Sequence, residues 1–188
     1  MEYDESFYER NEKFQYELSK ELTPFIFGVF PEINSILDVG CGCGFFSGKL
    51  GQLYDCEVLG INGDRPHNRT IEIMTFDLNK KFELNKKFDL VISLEVAEHI
   101  EEKNANNFID TITGHGDIIL FSAAVPGQGG VGHVNEQPHE YWHKKFDERS
   151  YGYTDIIRRH LANKKNVPFW YRENIFLYEK YSGVGVTK

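Results

Sequence analysis

The segment Ile36-Leu37-Asp38-Val39-Gly40-Cys41-Gly42-Cys43-Gly44 constrains the fold of this chain more than any other segment. The apolar run at residues 35–39 predicts a strand, and three glycines follow it at alternate positions. Residues 45–53 contain no proline and predict a helix. A strand, a glycine-rich turn and a helix in this order bring backbone N–H groups close to a nucleotide-like ligand at the carboxyl end of a sheet.

The composition narrows the class of protein. The chain has 188 residues, 14% of them aromatic, and a net charge of −8. This length suits one domain with a substantial core, and the acidic balance argues against duplex nucleic acid as a partner. Three cysteines do not make a disulfide framework, and no apolar run reaches membrane-spanning length. We therefore expect a soluble, cytoplasmic protein from a reducing compartment, without a membrane partner.

Strand-like and helix-like segments alternate along the chain. Strands are predicted by apolar or alternating runs at 57–61, 71–76, 88–93 and 117–124, by a run at 152–157 that also fits a helix start, and by a final edge strand at 174–180. An N-terminal helical segment, residues 1–31, carries a predicted helix over residues 3–22 that ends before Pro24. The pattern predicts one domain over residues 1–188: an α/β, doubly wound, Rossmann-like sheet of seven mostly parallel strands with helices on both faces.

The pattern L-D-V-G-C-G-x-G, Leu37 to Gly44, resembles the first motif of class I S-adenosylmethionine (SAM)-dependent methyltransferases. The resemblance implies that SAM is the cofactor, with the glycines under its methionine part and the acid near its amino group. It also implies sites at the ends of the next three strands. The cofactor-binding candidates are Asp38, Gly40, Cys41, Gly42, Gly44, Asn62, Asp64, Asp77, Leu78 and Glu95.

The second strand departs from the family pattern. The family expects Asp or Glu at the position of Asn62, where a carboxylate accepts hydrogen bonds from the ribose hydroxyls. An Asn carbonyl accepts more weakly than a carboxylate, and Asp64 lies two residues further on. The sequence leaves open which of the two contacts the ribose.

A second group of polar residues follows the fourth predicted strand. Glu95, Glu98 and His99 stand at i, i+3 and i+4, so they would share one face if they began a helix. His133 lies in the loop after the fifth strand and is placed to converge on them. Two carboxylates and two imidazoles suit Mn²⁺, Fe²⁺ or Zn²⁺ better than Mg²⁺.

The E-x-x-E-H element with a later His is similar to the metal site of small-RNA 2′-O-methyltransferases, and ubiquinone-pathway O-methyltransferases carry a similar element. The resemblance implies that a divalent metal (Mn, Mg, Fe or Zn) is bound by Glu95, Glu98, His99 and His133. Many class I methyltransferases with this element bind no metal. In that alternative His133 or His99 is the general base, since imidazole titrates near neutral pH. Glu136 is a third catalytic candidate.

A substrate loop is predicted at residues 125–147, which begin with a Gly- and Pro-rich run and contain His133, Glu136 and Trp142. Its polar and aromatic side chains suit a polyhydroxylated acceptor, and its G-G-x-G-H-V-N-E-Q run resembles loops of methyltransferases that accompany glycosyltransferases. We expect O-methylation of a sugar or glycan hydroxyl, in a chain that could belong to a larger multidomain glycan-modifying protein. The alternatives are another small-molecule or RNA-terminal acceptor, a non-catalytic SAM-binding module, and a nicotinamide-dependent oxidoreductase, which the Asp38–Gly44 spacing disfavours.

Overall fold

The computed structural model describes residues 5–64, 66 and 68–182, with side chains from residue 11 onward. A single seven-stranded sheet forms its centre. The strands are β1 (Ser35–Val39), β2 (Glu57–Asn62), β3 (Glu72–Thr75), β4 (Leu90–Leu94), β5 (Ile118–Ser122), β6 (Tyr151–Thr154) and β7 (Phe176–Lys180). Their order across the sheet is β3-β2-β1-β4-β5-β7-β6. Strands β1 to β5 pair in parallel, whereas β7 is antiparallel to both of its neighbours.

Helices cover both faces of the sheet. They are α1 (Glu5–Val29), α2 (Phe45–Tyr54), α3 (Ala105–His115), α4 (His139–Asp147), α5 (Ile156–Leu161) and α6 (Phe169–Asn174). The cores on the two faces are formed by α3 and α4 on one side and by α1, α2, α5 and α6 on the other. Strand residues alternate between them, since Leu37 and Val91 join the first core and Ile36 and Leu90 the second. The predicted doubly wound α/β domain is confirmed. In the described part of the chain, no helix is both long and apolar enough to cross a membrane.

The strand order reverses beside β1. From β1 the chain runs outward through β2 and β3 and then returns to place β4 on the other side of β1. In open α/β sheets, the carboxyl ends of the strands flanking such a reversal border the binding crevice. The glycine turn after β1 and the polar segment after β4 therefore face the same crevice.

Strand β7 corrects the predicted position of the last strand. Residues 174–180 were expected at the sheet edge, but β7 lies between β5 and β6, with Phe176 opposite Phe121 and Tyr178 opposite Tyr153. The edge is formed by β6 instead. Phe176 and Tyr178 are buried, which a strand paired on both sides requires. Alternation in the sequence identifies a strand but not its neighbours.

Helix α1 corrects the predicted helix end. It continues through Pro24 to Val29, although proline removes one N–H from the helix ladder. Ile26 is buried in the core, and the Phe25 ring stacks on His160 with 4.1 Å between the ring centroids. These contacts in the last turns offset the missing hydrogen bond. The predicted apolar positions Tyr3 and Phe7 lie outside the described side chains.

Trp142 lies in the core and not in a substrate loop, because α4 occupies the second half of the predicted 125–147 segment. Its side chain is 1% exposed, and its ring centroid lies 5.5 Å from that of Phe121. Trp142→Ala is expected to lower the free energy of unfolding by about 3–5 kcal/mol, the usual cost of emptying a large aromatic site. Urea denaturation measures the difference. Leu53→Ala, at a position 45% exposed, is the control, and an equally small effect for both variants would contradict this assignment.

Candidate active site

A cavity of about 660 Å³ opens at the carboxyl ends of β1, β2 and β4. Its volume lies within the range of small-molecule sites. The walls come from the ends of these strands, the loop after β5, and helices α1 and α6. The cavity is lined by Asn11, Glu12, Gln15, Gly40, Gly42, Cys43, Asn62, Gly63, Asp64, Asp77, Leu78, Asn79, Leu94, Glu95, Val96, Glu98, His99, Ile100, residues 128–133, Phe169, Trp170 and Tyr171.

The glycine turn forms one end of the cavity. Gly40, Gly42 and Gly44 have φ angles of 84°, 54° and 72°, in the left-handed region that favours glycine. A Cβ on Gly40 would overlap the Val96 side chain, and one on Gly44 would overlap Ile71. The turn thus requires glycine both for its backbone and for its packing. Gly40 and Gly42 line the cavity, whereas Gly44 lies behind it.

Two other predicted residues of this turn are set back from the cavity wall. Asp38 is buried beside Ser47, and burial raises the pKa of its carboxyl to about 7. Cys41 is buried as well, and its thiol donates to the Gly42 carbonyl. Cys43 lines the cavity in place of the predicted Cys41.

At the end of β2, Asn62 and Asp64 hold different positions. The Asn62 carbonyl oxygen accepts from the Gly42 N–H at 3.2 Å, and its amide donates to the Asp64 carboxylate at 2.5 Å. Asn62 therefore links the glycine turn to Asp64, with one end of its amide on each. Asp64 lines the cavity and is the carboxylate that this strand end offers to a ligand.

Asp77 and Leu78 lie at the same rim. The Asp77 carboxylate accepts from the Asn79 N–H at 3.1 Å and lies 3.4 Å from Lys80 Nζ. These contacts, the backbone hydrogen bond first, lower the pKa of Asp77. Leu78 packs against the α3 and α4 core. Both residues lie on the cavity wall, in the region where the sequence predicted them to bind the cofactor.

Glu95 does not begin a helix, which corrects the predicted arrangement of the E-x-x-E-H element. Its φ angle is 54°, and its N–H is bonded to Ser122, so the chain turns sharply before a short 3₁₀ turn at Ala97–His99. The buried carboxylate accepts from Gln128 Nε2 at 2.8 Å and from Asn174 Nδ2 at 3.4 Å. Burial raises its pKa. These two amides hold Glu95 apart from the other predicted metal ligands.

Glu98, His99 and His133 come together at the other end of the cavity. One ligand atom from each lies within 4.8 Å of the others. The Glu98 side chain is fully buried, and neither carboxylate oxygen has a hydrogen-bond partner among the described residues. Burial, followed by the charge of Glu95, raises the pKa of Glu98 well above its ordinary value. A buried carboxyl without a partner is costly, and a cation beside it would relieve that cost.

The two imidazoles are held by the loop that precedes α4. His99 Nδ1 lies 3.2 Å from the Gly132 carbonyl oxygen, which can only accept, so this nitrogen donates. His133 Nε2 lies 3.9 Å from Glu98 Oε1, and the two ring centroids are 4.9 Å apart. The pKa of His99 is lowered mainly by burial and, to a smaller extent, by the neighbouring His133. His99 is therefore neutral at physiological pH, the form that serves as a ligand or a base.

Glu136 faces the loop rather than the cavity, which corrects its predicted role as a catalytic residue. Its carboxylate accepts from the Gly127 N–H, the Gly129 N–H and His133 Nδ1, each at 2.8 Å. The hydrogen bond from His133, followed by that from Gly127, lowers the pKa of Glu136. Glu136 thus holds the loop and one imidazole together.

Residues from α1 and α6 complete the cavity, and the sequence analysis did not assign them to it. Phe169, Trp170 and Tyr171 come from α6, and Gln15 of α1 accepts from the Phe46 N–H at the start of α2. The aromatic run at residues 169–171 immediately precedes the segment of β7. Its local pattern is indistinguishable from a core segment, and only the placement of α6 above the sheet brings it to the site.

Comparisons with known proteins agree with this architecture. Residues 37–114 match the profile of the family described as methyltransferase domain. The sugar N-methyltransferase KedS8 from Streptoalloteichus superposes with a TM-score of 0.70 at 14% identity, covering 96% of this chain and 94% of that one. The methyltransferase domain of bacterial CtHen1-C gives 0.63 at 13% identity, covering 90% and 100%.

A third solved structure extends the comparison. The magnesium protoporphyrin IX methyltransferase from Synechocystis, solved with bound SAM, gives a TM-score of 0.64 at 15% identity, covering 96% of this chain and 87% of that one. A search of curated proteins finds no match. The chain therefore has the Rossmann-like methyltransferase fold.

Proposed function

We propose that this protein is a SAM-dependent methyltransferase that transfers a methyl group to a hydroxyl of a sugar or glycan, with a divalent cation at Glu98, His99 and His133. One observation carries the proposal. A single cavity holds the left-handed glycine turn at one end and a fully buried carboxyl beside two imidazoles at the other. This is the arrangement needed to place a methyl donor beside a hydroxyl that must lose its proton.

The residues of the glycine end fit the proposed cofactor. SAM supplies an electrophilic methyl group when bound. Gly40 and Gly42 present backbone without side chains to it, and Asp64, whose carboxylate is oriented by the Asn62 amide, accepts hydrogen bonds from the ribose hydroxyls. Asp77 and Leu78 face the adenine. Asp38, behind the turn, is placed toward the amino group of the cofactor, whose positive charge would favour the ionised form of this buried carboxyl.

The residues of the other end fit a divalent cation. The orphaned Glu98 carboxyl and two imidazoles form a mixed oxygen and nitrogen set, which suits Mn²⁺, Fe²⁺ or Zn²⁺ better than Mg²⁺. A cation bound there lowers the pKa of a coordinated hydroxyl. Glu95 is not among the proposed ligands, because Gln128 and Asn174 hold its carboxylate. If no cation is bound, the neutral His99 imidazole is instead placed to take the proton of the acceptor hydroxyl through Nε2, the nitrogen that would otherwise be a ligand.

The charge of the cavity favours an uncharged acceptor. Among its described lining residues there is no Lys or Arg, and five carboxyl groups are present: Glu12, Asp64, Asp77, Glu95 and Glu98. An RNA end carries phosphate next to its hydroxyls, and these lining residues offer it no cationic side chain to pair with. Trp170 and the 45% exposed Phe169 add apolar surfaces on which the C–H face of a sugar ring can pack. These features support a neutral polyhydroxylated acceptor.

The test is a methyl-transfer assay with Mn²⁺ and a panel of acceptors. Simple glycosides, oligosaccharides, phenols and a short RNA are compared by release of S-adenosylhomocysteine (SAH). We expect turnover with a glycoside or oligosaccharide and none with the RNA. Turnover of a non-sugar alone would overturn the sugar assignment. Binding of SAH without turnover of any acceptor would favour a non-catalytic SAM-binding module. A second test replaces both His99 and His133 by Ala, and full activity of that double variant would show that neither imidazole takes part in the mechanism.

A further inference from the structure

Glu136 contacts three donors that belong to different parts of the loop. Its Oε1 accepts from His133 Nδ1 and from the Gly129 N–H, and its Oε2 accepts from the Gly127 N–H. Gly127 and Gly129 both have φ angles in the left-handed region, 86° and 71°. One side chain therefore fixes a glycine-rich segment with little conformational preference of its own.

The orientation of His133 follows from these contacts. An ionised carboxylate can only accept, so the proton of the neutral imidazole is on Nδ1. The Nε2 lone pair then points away from Glu136, toward Glu98 Oε1 at 3.9 Å. The residues that follow His133 are bonded to the 3₁₀ turn that carries Glu98. The Glu98 carbonyl oxygen accepts from the N–H groups of Val134 and Asn135 at 2.9 and 3.0 Å.

We propose that Glu136 is a positioning residue that selects the Nδ1–H tautomer of His133 and so presents Nε2 to Glu98 and His99. The role of Nε2 as a ligand of the cation rests on the proposed function. The tautomer of His133 can be measured without any activity. Partners of this kind, a carboxylate behind a ligating imidazole, commonly change metal affinity by 10- to 100-fold. Glu136 thus acts on the site through His133 without touching a ligand.

The experiment observes the imidazole nitrogens of His133 by long-range ¹H–¹⁵N NMR at pH 8 in the whole chain, with His133→Gln used to assign the signal. We expect a protonated Nδ1 and an unprotonated Nε2 in the wild type. In Glu136→Ala the Nε2–H tautomer should become populated, and the stabilisation of the fold by Mn²⁺ should require about 10- to 100-fold more metal. Glu136→Leu, which keeps much of the side-chain volume but offers no acceptor to Nδ1–H, serves if the Ala variant does not fold.

Two controls separate positioning from a general loosening of the loop. Gly127→Ala strains the same loop at a left-handed residue, with open space around its Cβ, yet leaves the carboxylate on His133. It should keep the Nδ1–H tautomer. Glu101→Gln removes an exposed carboxylate that pairs with Lys103 and should change neither signal. A wild-type His133 protonated on Nε2, or one unaffected by loss of Glu136, would overturn the inference. If His133 is protonated on Nδ1 and loses this preference without Glu136, but Mn²⁺ does not stabilise the fold, the positioning role of Glu136 stands and the proposed cation is rejected.

Discussion

Replacing Glu98 by Gln is expected to lower the rate of methyl transfer about 100-fold or more and to abolish stabilisation of the fold by Mn²⁺. Glu98 is the only fully buried acid of the imidazole group, and its carboxylate oxygens have no hydrogen-bond partner among the residues described. An amide of the same shape keeps the packing but cannot carry the charge that a cation or a developing imidazolium requires. The loss of one such electrostatic contact typically lowers kcat by about 10²–10³.

The same substitution should leave the metal-free protein at least as stable as the wild type. Removing a buried acid that lacks a partner removes a desolvation cost, whereas the glutamine adds no volume. Thermal melting with and without Mn²⁺, together with SAH titration, separates these effects, and SAH affinity should be unchanged. Glu101→Gln is the matched control, because that carboxylate is 54% exposed and pairs with Lys103. A Glu98→Gln variant that is still stabilised by Mn²⁺ would remove Glu98 from the cation site.

The contribution of Asp38 to the stability of the ligand-free protein is expected to fall as the pH rises from about 4 to about 7. Burial raises the pKa of Asp38 from 3.8 to about 7. Within this window the carboxyl is protonated in the folded state and ionised in the unfolded state, so unfolding releases a proton and becomes easier at higher pH. At 1.36 kcal/mol per pKa unit, the Asp38 contribution is on the order of 4 kcal/mol across the window.

Urea denaturation at pH 5 and pH 7.5, for the wild type and for Asp38→Asn, measures this contribution. Glu95 and Glu98, whose pKa values are also raised, change the stability in the same direction as Asp38. Burial lowers the pKa of His143 to about 4, and this group changes the stability in the opposite direction. The slope of the wild type is therefore the sum of several groups. The difference between the two slopes isolates Asp38, and the asparagine retains a group that can bond to Ser47. Parallel slopes for the two proteins would show that Asp38 is ionised in the fold at pH 5.

The sequence predicted the glycine end of the cavity better than the imidazole end. The conformation of residues 35–54 depends mainly on residues within the segment: an apolar run, alternate glycines and a helix-forming sequence. The observed β1 and α2 lie close to the predicted strand and helix. His133 was expected near Glu98 and His99 because loops after neighbouring parallel strands share one edge of the sheet. The structure places it there, although whether this group binds a metal stays a prediction.

The errors occur where the outcome depends on distant parts of the chain. The helix expected at Glu95 is absent because Ser122 on β5 and Gln128 in the following loop hold that residue in a left-handed conformation. Glu136 appeared catalytic because acids in polar loops often are, but backbone donors of its own loop take up its carboxylate. Contacts of this kind cannot be predicted from the hydrophobic periodicity or the residue spacing of the sequence.

The placement of β7 has a consequence for how the protein is made. Strand β6 is synthesised before β7, although β7 is the strand with which it pairs in the sheet. Until residues 176–180 have emerged, the edge of β5 that β7 later covers and both edges of β6 therefore remain unpaired, and these edges can capture other extended chains. Folding on this side of the sheet cannot be completed before residues 176–180 are available, and a pause in translation before Phe176 would prolong the interval in which aggregation competes with it.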